Sequence, residues 1–556
     1  MSAQVLAVTI CFSAALAVAQ TAAPQAVTQQ AASDPERAKS EQLAAPQVPP
    51  PTKITAEQAK QLFSLVDELI QFSSDETGLP IKSTVKRQIT SRDAVESYLK
   101  EKFDEDESAK RMQQSEIVLK KFGLLDRDFA LKPFLLALLK EQIEAYYDSK
   151  TKTVNMLDWV DIEEQKPVLA HELTHALQDQ HSDLEKWADQ TPDQVSANYA
   201  GDVDHLAKDE IDTAREAVVE GQATAVMMDY ILKPMGKSLV KNPEVMEMVQ
   251  QMMSGSGSSP VLARAPLLLS ESLLFPYREG LSFEQDVWMD QGQSAAFTGT
   301  LDQPPTSSWE ILNPREYEKR HAPSVPLLPN IHPLVDPLYK PYDIGQIGQL
   351  DLRILAKLFG GEQAASDLTP AWDGGLYWAG QLLSAKTPEA KAKTDSLAIF
   401  YLSTWRNAAS AHAFARLYAN QLRRKYSSVQ LESGEQTAAR IRLSSGIKVF
   451  PPPAASTDES TQAAPVSTGQ EQVYSTSEGP VVITVRGKQV FVAESFPLDL
   501  ARKLTALILD AQGSGEVKMA AAVQLVPESL SSSWIHFFSD CGVMKAAVNA
   551  AMQATR

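Results

Sequence analysis

Residues 167–181 read PVLAHELTHALQDQH. Leu169, Leu173, Ala176 and Leu177 recur at helical spacing, and a proline costs nothing at a first helical position, so the segment reads as a buried helix opening at Pro167. Positions i and i+4 share a helix face. His171 and His175 can therefore present two imidazoles to one Zn2+ ion, with Glu172 projecting beside them. Zinc held this way brings the pKa of a water to about 7, and Glu172 stands where a general base would take its proton. Two ordinary histidines on a helix can share this spacing by chance. The chain has only eight histidines, however, and His171, His175 and His181 all fall in this stretch.

A catalytic zinc needs a third protein ligand and an open position. One candidate is His181, six residues beyond His175, the spacing of the pattern HExxHxxGxxH. The glycine that turns the chain out of the helix in that pattern is replaced by Gln178; if the helix continues, His181 lies about 240° around from His175. The other candidate lies in residues 213–224, TAREAVVEGQAT. Glu216 and Glu220 share a helix face there, and Gly221 followed by small residues lets a neighbouring helix come close. The plainer alternative is that both are solvated acids pairing with Arg215 or Lys208.

HELTH followed by VEGQAT resembles the gluzincin arrangement of the zincin-like metallopeptidases, in which a carboxylate from a second helix, often in a Glu-Gly-x-Ala context, completes a His2Glu site. The resemblance implies Glu220 as third ligand, with Glu216 one turn earlier as the fallback, and a peptide or protein as substrate. A longer run, from AYYDSKTKTVNML to LLFPYREG and PPTSSWEILNPREY, is similar to uncharacterised secreted bacterial proteins of that superfamily over about residues 120–320, and more weakly to about 420. It implies a zincin-like catalytic core with a small sheet, whose edge strand within Ala145 to Met156 could pair with an extended substrate. Tyr146 and Tyr147 in it read equally as packing residues. A group stabilising the oxyanion is expected as well. Tyr230, Tyr277, Arg278 and Tyr317 are candidates by neighbourhood alone.

Composition narrows the rest. Among 556 residues, 70 acidic side chains against 52 basic ones give a net charge of -18, which disfavours nucleic acid and anionic lipid as partners. Two cysteines, Cys11 and Cys541, exclude a disulfide framework, a zinc ribbon or an iron–sulfur site. Any metal must then be held by His and carboxylate. Cys541 has no catalytic context, and His205, His321, His332, His412 and His536 stand isolated and read as structural.

Residues 1–19 read as a signal peptide, which implies a secreted or periplasmic protein with no membrane span after cleavage. Residues 20–54 are an Ala, Gln and Pro-rich leader. The resemblance implies a zincin-like catalytic region over 55–325. It opens on a helix with Thr55 and Gln58 in capping-box positions and Leu62, Val66 and Ile70 on one face. Two or three helices follow to Ile143, then a hairpin at AYYDSKTKTVNML. Residues 326–450 read as a helical region continuing the core, and 451–477 as a low-complexity insert between paired strands, ARIRLSSGIKVF before it and VVITV after. Residues 478–556 read as two strands about an Arg-Gly-Lys turn, then an amphipathic helix. The expected fold is α+β and mainly helical. The expected function is an exported zinc metallopeptidase; the competing readings are a zincin-fold binding or envelope-assembly protein with a non-catalytic metal site, and a zinc amidase on non-peptide amides.

Overall fold

The computed structural model describes residues 53–97, 107–142, 145–188, 196–242, 245, 246, 249, 260–433 and 470–512. The expected signal peptide, nearly all of the leader, the ARIRLSSGIKVF strand, His536 and Cys541 lie outside the described residues. The fold is α+β and mainly helical. No described helix is long and apolar enough to cross a membrane.

Helix α1 (Ala56–Thr77) starts as its sequence dictates. The Thr55 hydroxyl accepts from the Gln58 N–H, and the Gln58 side chain accepts from the Thr55 N–H, closing the capping box. Leu62, Val66, Leu69 and Ile70 are buried along one face. A short strand follows, β1 (Lys86–Thr90), where only helices were expected. Helices α2 (Glu107–Phe122) and α3 (Leu131–Gln142) lead to the expected hairpin, β2 (Ala145–Asp148) and β3 (Thr153–Leu157). β1 joins β3 in parallel, so the sheet order is β1-β3-β2 and β2 is left at an edge.

Helix α4 (Ile162–Ser182) carries the two histidines and begins five residues before Pro167. Asp161 supplies the cap, accepting from the Glu163 N–H at 2.9 Å. The extra turn is tied to the sheet by buried Gln165, which accepts from the Leu157 N–H and donates to the Leu157 and Val160 carbonyls. Those contacts hold a helix that continues through the proline. Helix α5 (Tyr199–Lys208) leads into α6 (Ile211–Leu232), and α7 (Leu267–Gln291) packs on α6.

Residues 326–433, the described part of 326–450, are not a helical continuation. They contribute β4 (Tyr339–Gln346), α8 (Gln349–Leu368), β5 (Trp372–Leu382), β6 (Leu397–Trp405), α9 (Ala408–Lys425) and β7 (Val429–Ser433). With β8 (Gln470–Thr476), β9 (Gly479–Arg486) and β10 (Gln489–Glu494) these strands build an antiparallel seven-stranded sheet, ordered β4-β5-β6-β10-β9-β8-β7. β8 takes up residues expected to belong to the insert. The β9–β10 hairpin and the amphipathic helix after it, α10 (Leu498–Ala511), lie where the pattern put them.

Both faces of this sheet are covered. Along β6, Leu397, Ile399 and Tyr401 join the core shared with α9, α4, α6 and α7. Ala398, Phe400 and Leu402 join a second core beneath α10. Buried charge ties α2 to the sheet: the Lys121 ammonium donates to Glu478 at 2.7 Å and to the Ser495 hydroxyl at 2.6 Å.

Candidate metal centre

α4 and α6 lie side by side, with α7 crossing α6 at a point without side chains. A Cβ on Gly221 would sit 2.4 Å from the Gly280 carbonyl, and one on Gly280 would sit 2.1 Å from the Ala217 carbonyl oxygen. Backbone meets backbone there. The neighbours of that contact, Glu220 on α6 and Tyr277 on α7, are thereby pressed toward the α4 histidines.

His171 Nε2 lies 2.9 Å from Glu220 Oε2, and His175 Nε2 lies 3.6 Å from Glu220 Oε1. Donor atoms of the three residues all fall within 4.8 Å of one another, the only such group of His, Cys, Asp or Glu among the described residues. Three ligands at 2.0–2.1 Å around one tetrahedral zinc stand roughly 3.3 Å apart, so these separations fit such an ion with small adjustment. The donor set fits too, since two imidazoles and a carboxylate suit zinc. His171 and Glu220 are fully buried, and His175 Nε2 is buried without a hydrogen bond.

Burial alone would raise the Glu220 carboxyl; the adjacent His175 and His171 imidazoles overcome this and hold it well below the usual carboxylate range. His175 Nδ1 faces Gln178 Oε1 at 2.8 Å. Glu172 is buried, and one of its oxygens accepts the Tyr147 backbone N–H at 2.7 Å. β2 is thus an edge strand, as expected, but its outward amide at Tyr147 is bound to Glu172.

Comparison with protein families, with curated proteins and with solved structures finds no match for the chain. Its chemistry is therefore argued from these side chains.

The structure sorts the remaining candidates. His181 points away from the histidine pair, to Asp302 at 2.9 Å, because α4 continues past it to Ser182. Glu216 is buried one turn before Glu220 and is not in the converging group. Neither acid is solvated: Lys208 pairs with Asp204 at 2.8 Å, and Arg215 lies over the Trp187 ring at 4.9 Å. Of the four oxyanion candidates, Tyr230 packs edge-on against Phe72, Arg278 is bound by Glu271 and Glu279, and the Tyr317 hydroxyl donates to the Gln303 carbonyl. Only Tyr277 reaches the centre, its ring stacked on His171 at 6.3 Å. Burial, and then the charges of Glu220, Glu216 and Glu172, push its phenol well above the usual value.

Tyr146 is buried in the core as a packing residue, whereas the Tyr147 hydroxyl donates to Asp179. In the sequence Gln178 marks only the place where the pattern HExxHxxGxxH has its glycine. Its signal was its position, one helical turn beyond His175 on the same face.

Proposed function

We propose that this chain is an exported zinc-dependent hydrolase that cleaves peptide bonds, with His171, His175 and Glu220 as ligands. The observation that carries the reading is the convergence of these three donors beside Glu172. A bound zinc would supply a Lewis acid that polarises a carbonyl and acidifies a water. Glu172 is the general base, oriented by the Tyr147 N–H on one of its oxygens. Tyr277, kept protonated by burial and the surrounding carboxylates, is the hydrogen-bond donor for the negative charge that develops on the carbonyl oxygen.

One observation favours a second reading, a metal site that binds without catalysing: His171, Glu172 and Glu220 are all almost wholly enclosed. The two part on a single variant. The purified protein should carry one equivalent of zinc and cleave an unfolded protein in a chelator-sensitive manner. Glu172→Gln should keep the zinc and lose at least about 100-fold in rate. Zinc retained with no hydrolysis of any peptide would support the second reading, and cleavage of a non-peptide amide alone would make the chain an amidase.

A further inference from the structure

Behind the candidate centre runs a chain of side-chain amides whose direction is dictated at its far end. Residues Ala295–Gly299 form a π-helical turn, in which the Thr300 N–H reaches back five residues to the Ala295 carbonyl. The carbonyls of Ala296 and Phe297 face Gln222 Nε2 at 3.0 and 2.9 Å, with Thr300 Oγ1 at 2.8 Å. Carbonyl oxygens only accept, so the Gln222 nitrogen must point at them. Its oxygen then faces Gln178 Nε2 at 2.8 Å, and the same Gln178 nitrogen also donates to the Val219 carbonyl at 3.0 Å.

Gln178 is oriented in its turn: two acceptors hold its nitrogen, so its oxygen is the atom 2.8 Å from His175 Nδ1. An amide oxygen cannot donate, so His175 Nδ1 must carry the proton. In the neutral imidazole the lone pair is then on Nε2, the atom that faces Glu220. Reversing either glutamine would set oxygen against oxygen in a region without water access: Gln178, Gln222 and Thr300 are all fully buried. Groups left unpaired there would carry the full penalty of their desolvation.

We propose that Gln178 and Gln222 are positioning residues that hold His175 as the Nδ1–H tautomer, with the carbonyls of the π turn as the origin of the order. The inference rests on the reading of His175 as a metal ligand. It assigns a task to a turn that is remote from the ligands in sequence and contributes no ligand itself. An outer hydrogen bond of this kind typically makes 10–100-fold of difference to metal affinity.

The test uses the full chain and zinc alone. Long-range 1H–15N correlation spectra of the metal-free protein report the His175 tautomer directly, and the Nδ1–H form is expected. Zinc affinity, measured by competition with a chelating fluorophore, should fall roughly 10–100-fold in Gln178→Met and in Gln222→Met, with the tautomer shifting toward a mixture. An Nε2–H tautomer in the wild type would overturn the proposal without any variant. Wild-type zinc affinity and an unchanged tautomer in a folded Gln178→Met would overturn it as well. A wild-type protein that binds no zinc would instead remove the ligand reading, while the tautomer spectrum still decides whether the amide chain orders His175.

Discussion

Tyr277 and His171 stand more than a hundred positions apart in the chain and stack in the fold. If the Tyr277 hydroxyl stabilises the developing oxyanion, Tyr277→Phe should bind zinc normally and lose about 100- to 1000-fold in kcat with little change in KM. Equal losses in zinc affinity and rate would make it a packing residue. Glu210 is a second residue with a measurable signature. Burial, and then the nearby Asp351, push its carboxyl up to about 8 despite hydrogen bonds from the Ser308 N–H and hydroxyl. The unfolded chain releases that proton near the ordinary value of 4.5, whereas the folded protein keeps it until about 8. Its contribution is therefore fully present below pH 4.5 and is lost as pH rises to 8, on the order of a few kcal/mol. Asp202 and Asp229, each raised to about 6 by burial, act in the same direction. Denaturation midpoints of Glu210→Gln should accordingly fall less than those of the wild type between pH 5 and 8. The two histidines were legible because i, i+4 spacing is a local rule. Glu220 needed a resemblance, and Tyr277 could be chosen among four residues only once α7 was placed.

The close crossing of α6 and α7 is the element on which the centre depends. Gly280→Ala would drive a methyl group into the Ala217 carbonyl, so the helices must separate and carry Glu220 and Tyr277 with them. Overpacking of this kind costs typically 1–3 kcal/mol. A lower melting temperature together with weaker zinc binding is expected, and unchanged zinc affinity would show that the crossing does not set the ligand geometry. Elements with a local signature were readable: the capping box of α1, the β2–β3 hairpin, the β9–β10 hairpin and α10. The strands of residues 326–450 were not. Nearly every residue of β6, LAIFYLSTW, is buried because both sheet faces are covered, and an unbroken apolar run has no period to separate a strand from a buried helix. β1, KRQIT, failed for the opposite reason: most of it is polar and partly exposed, and its place is set by pairing with β3.

At the scale of the molecule, the seven-stranded sheet is assembled from two stretches of chain, and β7 pairs with β8 across residues 434–469. Closing a loop costs entropy that grows only by about 0.6 kcal/mol per doubling of length, so the length of chain between the two strands adds little to the cost of pairing them. Replacing it with a short Gly/Asn turn should leave the melting temperature within a few degrees of the wild type and zinc affinity unaltered; a drop of about 10 °C or more would assign the segment a part in the fold. The central question is whether α4 and α6 close on a metal ion. Zinc K-edge X-ray absorption on the purified full-length protein answers it most directly. The prediction is one zinc per chain, with two imidazole nitrogens and a carboxylate oxygen at about 2.0–2.1 Å, and loss of that signature in Glu220→Ala. A protein without stoichiometric zinc, or with a zinc environment that Glu220→Ala does not alter, would contradict it.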